Sequence, residues 1–121
     1  MIDMGATIKS TLTGDETLTG MLGGPRVYRV KAPNAEEFPR ITFFEITNFA
    51  SDFADDEELM SRIEFQVDVW TKGSFAAIAD QVDTLMNTIG FYRTGSAEFY
   101  EDDVQTYHKA LRYMATVQTE G

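Results

Sequence analysis

The chain has 121 residues, no cysteine, and 20 acidic against 10 basic residues, for a formal net charge of −10 at pH 7. This length fits one domain, 1–121, that buries its own core, and the missing thiols exclude disulfide frameworks and thiolate metal sites. The acidity argues against direct nucleic-acid binding, which needs clustered Lys and Arg, and is typical of a solvated acidic surface. Nucleic-acid mimicry or binding of a basic partner stays open.

Two short helices are predicted first. Residues 2–13 carry a thin apolar stripe and predict an N-terminal helix, which its glycine and threonines weaken, so tertiary contacts must hold it. Asp15 is a suitable N-cap for a second helical turn over 16–21. The run 23–25 (GGP) ends that turn, and because the GxxxxGK[ST] pattern is missing we interpret it as a plain turn rather than a phosphate loop.

A short strand, a loop and a longer strand follow. Residues 26–30 (RVYRV) suggest the short strand, and the segment 31–39, rich in proline and glutamate, suggests an exposed loop. Residues 40–49 (RITFFEITNF) predict the next strand, entered through Pro39. This strand carries more aromatic residues than strict alternation predicts, so we expect both of its faces to be partly covered.

The segment Ala50 to Met60 (ASDFADDEELM) concentrates acidic residues around one phenylalanine. We expect it to connect two antiparallel strands, 40–49 and 61–71, and connections of this length are often functional or mobile. Its acidic run could hold a hard cation, but it lacks the spacing and central glycine of an EF-hand loop. A solvated acidic loop is therefore the better interpretation.

The strongest pattern is a strand followed by a helix. Apolar residues alternate with polar ones over 61–71, which is typical of a strand with one face on a core and the other in solvent. Over 74–89 the apolar residues recur at helical spacing, with Ser74 as a plausible N-cap and Gly90 at the left-handed position after the helix. Burial of that stripe is worth on the order of 10 kcal/mol gross, so we expect this unit to form the nucleus of the core.

The C-terminal third predicts strands. Residues 91–93 and 97–101 indicate two short strands around a turn at 94–96. Residues 105–118 also fit a helix, but the β-branched and aromatic residues and the alternation favour a strand.

The predicted fold class is α+β. We expect an antiparallel sheet of four to five strands, packed against a central helix at about 74–89 and an N-terminal helix at about 2–13.

The sequence gives little support for a catalytic or metal site. His108 is the only histidine, and it has no thiol partner, so we interpret it as a surface or interstrand residue; an enzyme that uses it with a carboxylate is kept as a rival hypothesis. No cofactor or metal is predicted. Trp70 falls on the polar side of its strand, and with Phe53 and the aromatics of 40–49 it suggests a surface covered by a helix of the same chain or by a neighbour.

No membrane attachment is expected. No apolar run approaches the roughly 20 residues of a membrane span. The first residues lack the basic-then-apolar arrangement of a secretory signal peptide, which predicts a cytoplasmic product.

A series of sequence blocks spans nearly the whole chain: LTGDETLTGMLGGPRVY, a charged loop, FPRITF, and a strand that ends VDVWTK before a helix rich in alanine, isoleucine and valine. A closing strand around Tyr107 and Tyr113 completes it. This series resembles the tail-completion, or head-to-tail joining, proteins of long-tailed bacteriophages and related prophages. The matching residues are Leu12, Asp15, Leu18, Leu22, Gly24, Arg26, Val27, Tyr28, Pro39, Ile41, Val67, Val69, Trp70, Thr71, Ala79, Val82, Leu85, Tyr107, His108, Leu111 and Tyr113.

The resemblance implies a non-enzymatic structural part of the virion. Family members are expected to form a ring, typically hexameric, at the head-proximal end of the tail tube, where it stops tube growth and presents a surface to the head connector. The implied partners are further copies of the chain, the tail tube protein and the head connector proteins, with no direct nucleic-acid or membrane binding. Tail terminators are similar small α+β proteins, so completion and termination both stay open.

A contact hypothesis follows for the acidic segment Ala50 to Met60, together with Trp70. The rival to a structural role is a small acidic binding or inhibitor protein that neutralises a basic partner and forms no ring. The candidate subunit or partner contacts are Asp52, Phe53, Asp55, Asp56, Glu57, Glu58 and Trp70.

Overall fold

The computed structural model describes residues 1–54 and 57–118, with the backbone alone at 51–54 and 57–59. Within these ranges the chain forms three helices and one five-stranded open sheet, which confirms the predicted α+β class. The elements in chain order are α1 (Gly5–Thr13), α2 (Glu16–Leu22), β1 (Val27–Arg29), β2 (Arg40–Ala54), β3 (Glu57–Thr71), α3 (Ala76–Thr88), β4 (Tyr92–Glu101) and β5 (Thr106–Gln118).

The strands lie in the order β1-β2-β3-β5-β4. Neighbours are antiparallel except β1, which runs parallel to β2 with Val27 beside Ile41, so the sheet is mixed rather than purely antiparallel. β1 and β2 are parallel because the connection 30–39, which is too long for a tight hairpin, returns the chain to the end of the sheet at which β1 began.

One face of the sheet packs against the three helices. The alternation predicted for β3 is confirmed, since its four inward residues are completely buried. They meet the apolar stripe of α3, so the predicted strand-and-helix nucleus lies at the centre of the core. The fully buried residues of this core include Ile8, Leu12, Leu18, Leu22, Val27, Ile41, Phe43, Ile63, Phe65, Val67, Val69, Val82, Met86 and Tyr113.

Local signals predicted the Asp15 cap and the left-handed Gly90 correctly, but the N-cap of α3 was predicted wrongly. The Asp15 carboxylate accepts the Leu18 N–H at 2.9 Å, as its predicted N-cap role requires. Gly90 has φ +89°, the left-handed conformation predicted after α3. Ser74 is not the N-cap of α3, which is Phe75. The Ser74 hydroxyl instead accepts the Ala76 N–H at 3.4 Å, a local serine turn that competes with capping.

Helix α1 begins at Gly5 rather than at residue 2. Asp3 Oδ1 accepts the Gly5 N–H at 2.9 Å, and both Asp3 oxygens accept from the Arg29 guanidinium at 2.9 and 3.0 Å. A Cβ at position 5 would meet that guanidinium, so a larger residue there would displace the flexible Arg29 side chain from this position. The weak helix is therefore held by tertiary contacts, as expected.

The strands on either side of the acidic segment are longer than predicted. β2 continues to Ala54 and β3 starts at Glu57, with Ala50 opposite Ser61, so the expected loop over 50–60 is mostly a paired hairpin. Main-chain hydrogen bonds pair the strands without requiring an apolar pattern, which is why the sequence did not indicate them.

The predicted turn at 94–96 is also wrong. β4 is one continuous strand over Tyr92–Glu101, with a register shift between Arg93 and Gly95. The turn-like residues produce a bulge, in which one extra residue is inserted without reversing the chain. β5 covers Thr106–Gln118, which confirms the strand prediction there.

Candidate functional site

The sheet face opposite the helices, called the open face here, is built from the alternate residues of the strands. Cross-strand pairing sets them in rows. One row contains Arg40, Trp70, His108 and Phe99, from β2, β3, β5 and β4. Cross-strand neighbours on one face lie close enough to interact, so each row is a continuous strip of side chains.

Trp70 is held in its row by its own neighbours. Its ring stacks on His108 with centroids 3.8 Å apart and planes within 10°, and its indole N–H donates to Thr42 Oγ1 at 2.9 Å. The Arg40 guanidinium lies 5.3 Å from the Trp70 ring centroid, within cation–π range. A large aromatic residue can therefore lie half-buried on the polar side of β3 without a covering helix.

His108 joins β5 to β3 through a buried carboxylate. Its Nε2 lies 2.7 Å from Asp68 Oδ1, which also accepts the Gln66 amide at 2.8 Å. Only 4% of Asp68 is exposed. Arg112 Nε extends the chain of contacts by donating to Gln66 Oε1 at 3.3 Å. His108 is thus an interstrand residue whose carboxylate partner is shared with a second donor, and the arrangement ties adjacent strands together.

Arg40 connects the loop 31–39 to the open face. Its guanidinium donates to the carbonyls of Ala35 at 2.8 Å and Glu37 at 3.3 Å, and it lies 4.6 Å from the Phe38 ring centroid. Burial lowers the pKa of Arg40. Its Nε is buried without a hydrogen-bond partner in the described part of the chain.

A groove of about 470 Å³ runs over the open face beside this row. Its floor is made of small residues, Gly95, Ala97 and Ala110, and Phe99 and Arg112 stand at its sides. Small residues in facing strand positions leave room for side chains from elsewhere, so the groove is a shallow receptor surface rather than an enclosed pocket.

β4 is exposed along its length. It forms one edge of the sheet, and the exposed fractions of Tyr92, Phe99 and Tyr100 are 54%, 51% and 49%. Tyr100 contacts the half-exposed Tyr107 at 4.9 Å between ring centroids. Several large aromatic side chains on one exposed strand are typical of a surface that another protein covers.

The predicted contact residues fall in two separate places. Trp70 lies at one end of the β2–β3 hairpin, beside Arg40, and the acidic residues lie at the other end, roughly 40 Å away along the strands. Asp52, Phe53, Glu57 and Glu58 belong to the strands of that hairpin, and Asp55 and Asp56 lie outside the described residues. The structure does not bring Trp70 and the acidic group together.

Sequence reasoning missed the network of Asp68, Gln66 and Arg40 around Trp70 and His108. Each residue occupies a polar position of its strand, which is the only signal the sequence contains. The pairing of Asp68 with His108 spans 40 positions of the chain and depends on which strands are neighbours.

The described residues lack two kinds of feature. None of their helices is long and apolar enough to cross a membrane. They also contain no group of three or more His, Asp or Glu side chains placed to hold a metal ion. The acidic run at 55–58, considered as a cation site, lies partly outside them.

An acidic α+β protein whose sheet leaves a face and an edge strand uncovered has the build of a small structural assembly protein. Residues 6–118 match the family described as "Tail completion protein gp17". The chain belongs to this family, which confirms the resemblance found in the sequence, and it is a structural protein of the bacteriophage virion tail.

A solved structure supports the fold. A chain from "Virion of native gene transfer agent (GTA) particle" aligns with a TM-score of 0.66 at 15% sequence identity. The alignment covers 93% of this chain and 92% of that chain. Among curated protein sequences, none matches this chain.

Proposed function

We propose that this protein is a non-enzymatic ring component of a long-tailed phage or prophage, which caps the head-proximal end of the tail tube and joins the tail to the head connector. The observation that carries the proposal is the family match over residues 6–118. The uncovered sheet face and the exposed β4 support it, because a ring between a tube and a connector needs contact surfaces in several directions.

The chemistry of the open face supports a binding role over an enzymatic one. The His108 imidazole is stacked on Trp70 and bonded to Asp68, and that carboxylate is shared with Gln66. The nearby Thr42 hydroxyl accepts the Trp70 indole N–H. These contacts hold side chains in place on a sheet surface and give it a defined shape, which is what a partner surface needs.

The test is electron microscopy of particles produced with this gene deleted, with the intact gene supplied in trans as the control. We expect filled heads beside separate tails. Tails of normal length would assign the completion role, and overlong tails would assign the terminator role. Normal, infectious particles would overturn the proposal.

The hairpin end and Trp70 are proposed as the contacts to other subunits or to the connector. Deletion of residues 52–58 is expected to block joining because it removes the contact, while Asp102→Asn with Asp103→Asn changes acidic residues outside the hairpin and serves as the control. Normal assembly after deletion of 52–58 would remove the hairpin from the interface.

A further inference from the structure

Among the described residues, the outer edge of β4 and the far end of the β2–β3 hairpin lack a neighbouring strand, and they lie on opposite sides of the sheet. We propose that the hairpin arm, defined as residues 50–54 of β2 and 57–60 of β3, adds to the free edge of β4 in a second copy as an extra strand. The inference rests on the proposed ring and names the surface that receives the arm.

The receiving strand is β4. Among the described strands it pairs only with β5, and after the bulge at Thr94 its register with β5 is regular from Gly95 to Glu101. A long exposed strand edge presents unpaired N–H and C=O groups that another strand can bond, and stable proteins cover such edges. β4 is ten residues long and all of its residues except Gly95 are exposed, so in the isolated subunit its outer edge is accessible to another chain.

The hairpin arm extends past the rest of the sheet. β1 borders β2 only from Ile41 to Phe43, and β5 borders β3 only as far as Met60. Within the described residues, the two strands of the arm therefore pair only with each other, except that Met60 also lies beside Gln118 of β5. Register shifts on either side of Asp52 interrupt the ladder, and bulges of this kind bend a hairpin out of the plane of its own sheet.

The strand directions suit this addition. Because each neighbour from β2 through β3 and β5 to β4 is antiparallel, β4 runs opposite to β2. A second copy that continues the sheet in the same orientation brings its β2 antiparallel to β4 of the first. Contact between two different surfaces of one chain can repeat and close into a ring, whereas β4 pairing with β4 would stop at two copies.

Main-chain pairing does not depend on attraction between opposite side-chain charges, which suits a self-assembling acidic protein. Each copy has a formal net charge of −10, so attraction between opposite side-chain charges is a poor way to join identical subunits. Strand addition is driven by backbone hydrogen bonds, which are neutral, and by alternate side chains. The half-exposed Phe99 and Tyr100 of β4 supply apolar surface for the incoming strand.

Disulfide trapping tests the proposal directly, since the natural chain has no cysteine. Ala50 lies opposite Ser61 and Ser96 opposite Leu111, both on the helix side, whereas Ala97 lies opposite Ala110 on the open face. Ala50→Cys is combined with Ser96→Cys or, to allow for register, Glu98→Cys. Within one subunit these positions are separated by two strands and several residue levels, too far for a disulfide, so any link joins two copies.

Purified particles carrying each pair are oxidised and analysed on non-reducing gels. We expect a ladder of linked subunits from a same-face pair and at least a tenfold weaker ladder from Ala50→Cys with Ala97→Cys, which places the thiols on opposite faces. A dimer from Ser96→Cys alone would indicate β4–β4 pairing and overturn the proposal. A ring visible by electron microscopy without a ladder would overturn the arm contact alone, whereas particles without any ring would overturn the proposed function with it.

Hydrogen exchange gives a second measurement that needs no substitution. Amides of 95–101 are expected to exchange more slowly in assembled particles than in the free protein, with the amides in the middle of α3 as the internal control. Equal exchange in both states would overturn the proposal even if the cysteine variants failed to assemble.

Discussion

The two faces of the sheet bury their side chains by different means, and β3 shows both. On the helix side Phe65 is fully buried between Phe43 and Phe91, under helices of the same chain. On the open face Asp68 is 4% exposed, yet it is covered by its neighbours within the sheet. The first face closes the fold, and the second gives the molecule a firm outer surface while leaving room for another protein.

The largest expected effect is on the helix side. Phe65→Ala removes a ring from the centre of the core and is expected to lower the free energy of unfolding by about 3–5 kcal/mol. The matched control is Phe99→Ala on the open face, where 51% of the side chain is exposed and the expected loss is about 1 kcal/mol or less. Urea denaturation measures both, and equal losses would show that the two faces do not differ in this way.

Loss of the buried Asp68 carboxylate on the open face is expected to lower the free energy of unfolding. Asp68→Ala leaves His108 and Gln66 without their shared acceptor and is expected to cost about 1–3 kcal/mol of unfolding free energy. Asp68→Asn keeps an acceptor oxygen and should cost less. A double-mutant cycle with His108→Ala measures the coupling, and additive losses would mean that the pair does not stabilise the fold.

A smaller loss of stability is expected from a change in the helical layer. Asp15 caps α2 and also accepts the Gln81 side chain of α3 at 2.9 Å, so Asp15→Ala is expected to cost about 1 kcal/mol. Thr17→Ala, at an exposed position in the same helix, is the control and should be close to neutral. Thermal unfolding of the two variants compares them, and the interpretation fails if they unfold at the same temperature.

The smallest effect is a pH dependence at the start of α1. Hydrogen bonds from the Arg29 guanidinium and the Gly5 N–H hold the pKa of Asp3 below its ordinary value of 3.8. Because the folded pKa is the lower one, the stabilisation is complete above 3.8 and is lost as pH falls through the folded pKa. Asp3 is largely exposed, so we expect only about 0.5 kcal/mol.

Comparison of the natural chain with Asp3→Asn checks the direction in which the stabilisation by Asp3 changes with pH. The natural chain should be the more stable one near neutral pH, and the difference should vanish in strong acid, where both side chains are uncharged. A difference that grows as the pH falls would contradict the assignment. Asp102→Asn, at an exposed position, provides the control.

The fold was predictable where the pattern is local. The alternation in β3, the helical spacing of α3, the Asp15 cap and the left-handed Gly90 each depend on residues within a few positions of one another. The wrong predictions concern features that depend on strand pairing. These are the parallel placement of β1 and the continuity of β4 through the residues predicted as a turn. Those features depend on which strand lies alongside, and a short window of sequence does not contain that information.

By itself, the sequence determined the α+β class, the core-facing side of β3 and α3, the acidity and the family to which the chain belongs. Only the tertiary structure decided that Trp70 stacks on His108, that Asp68 is buried between two donors, and that β4 and the hairpin arm are left with free edges. The physical reason is the distance along the chain over which each signal acts. Periodicity and capping act over one or two turns of chain, whereas these contacts join residues that only the strand order makes neighbours.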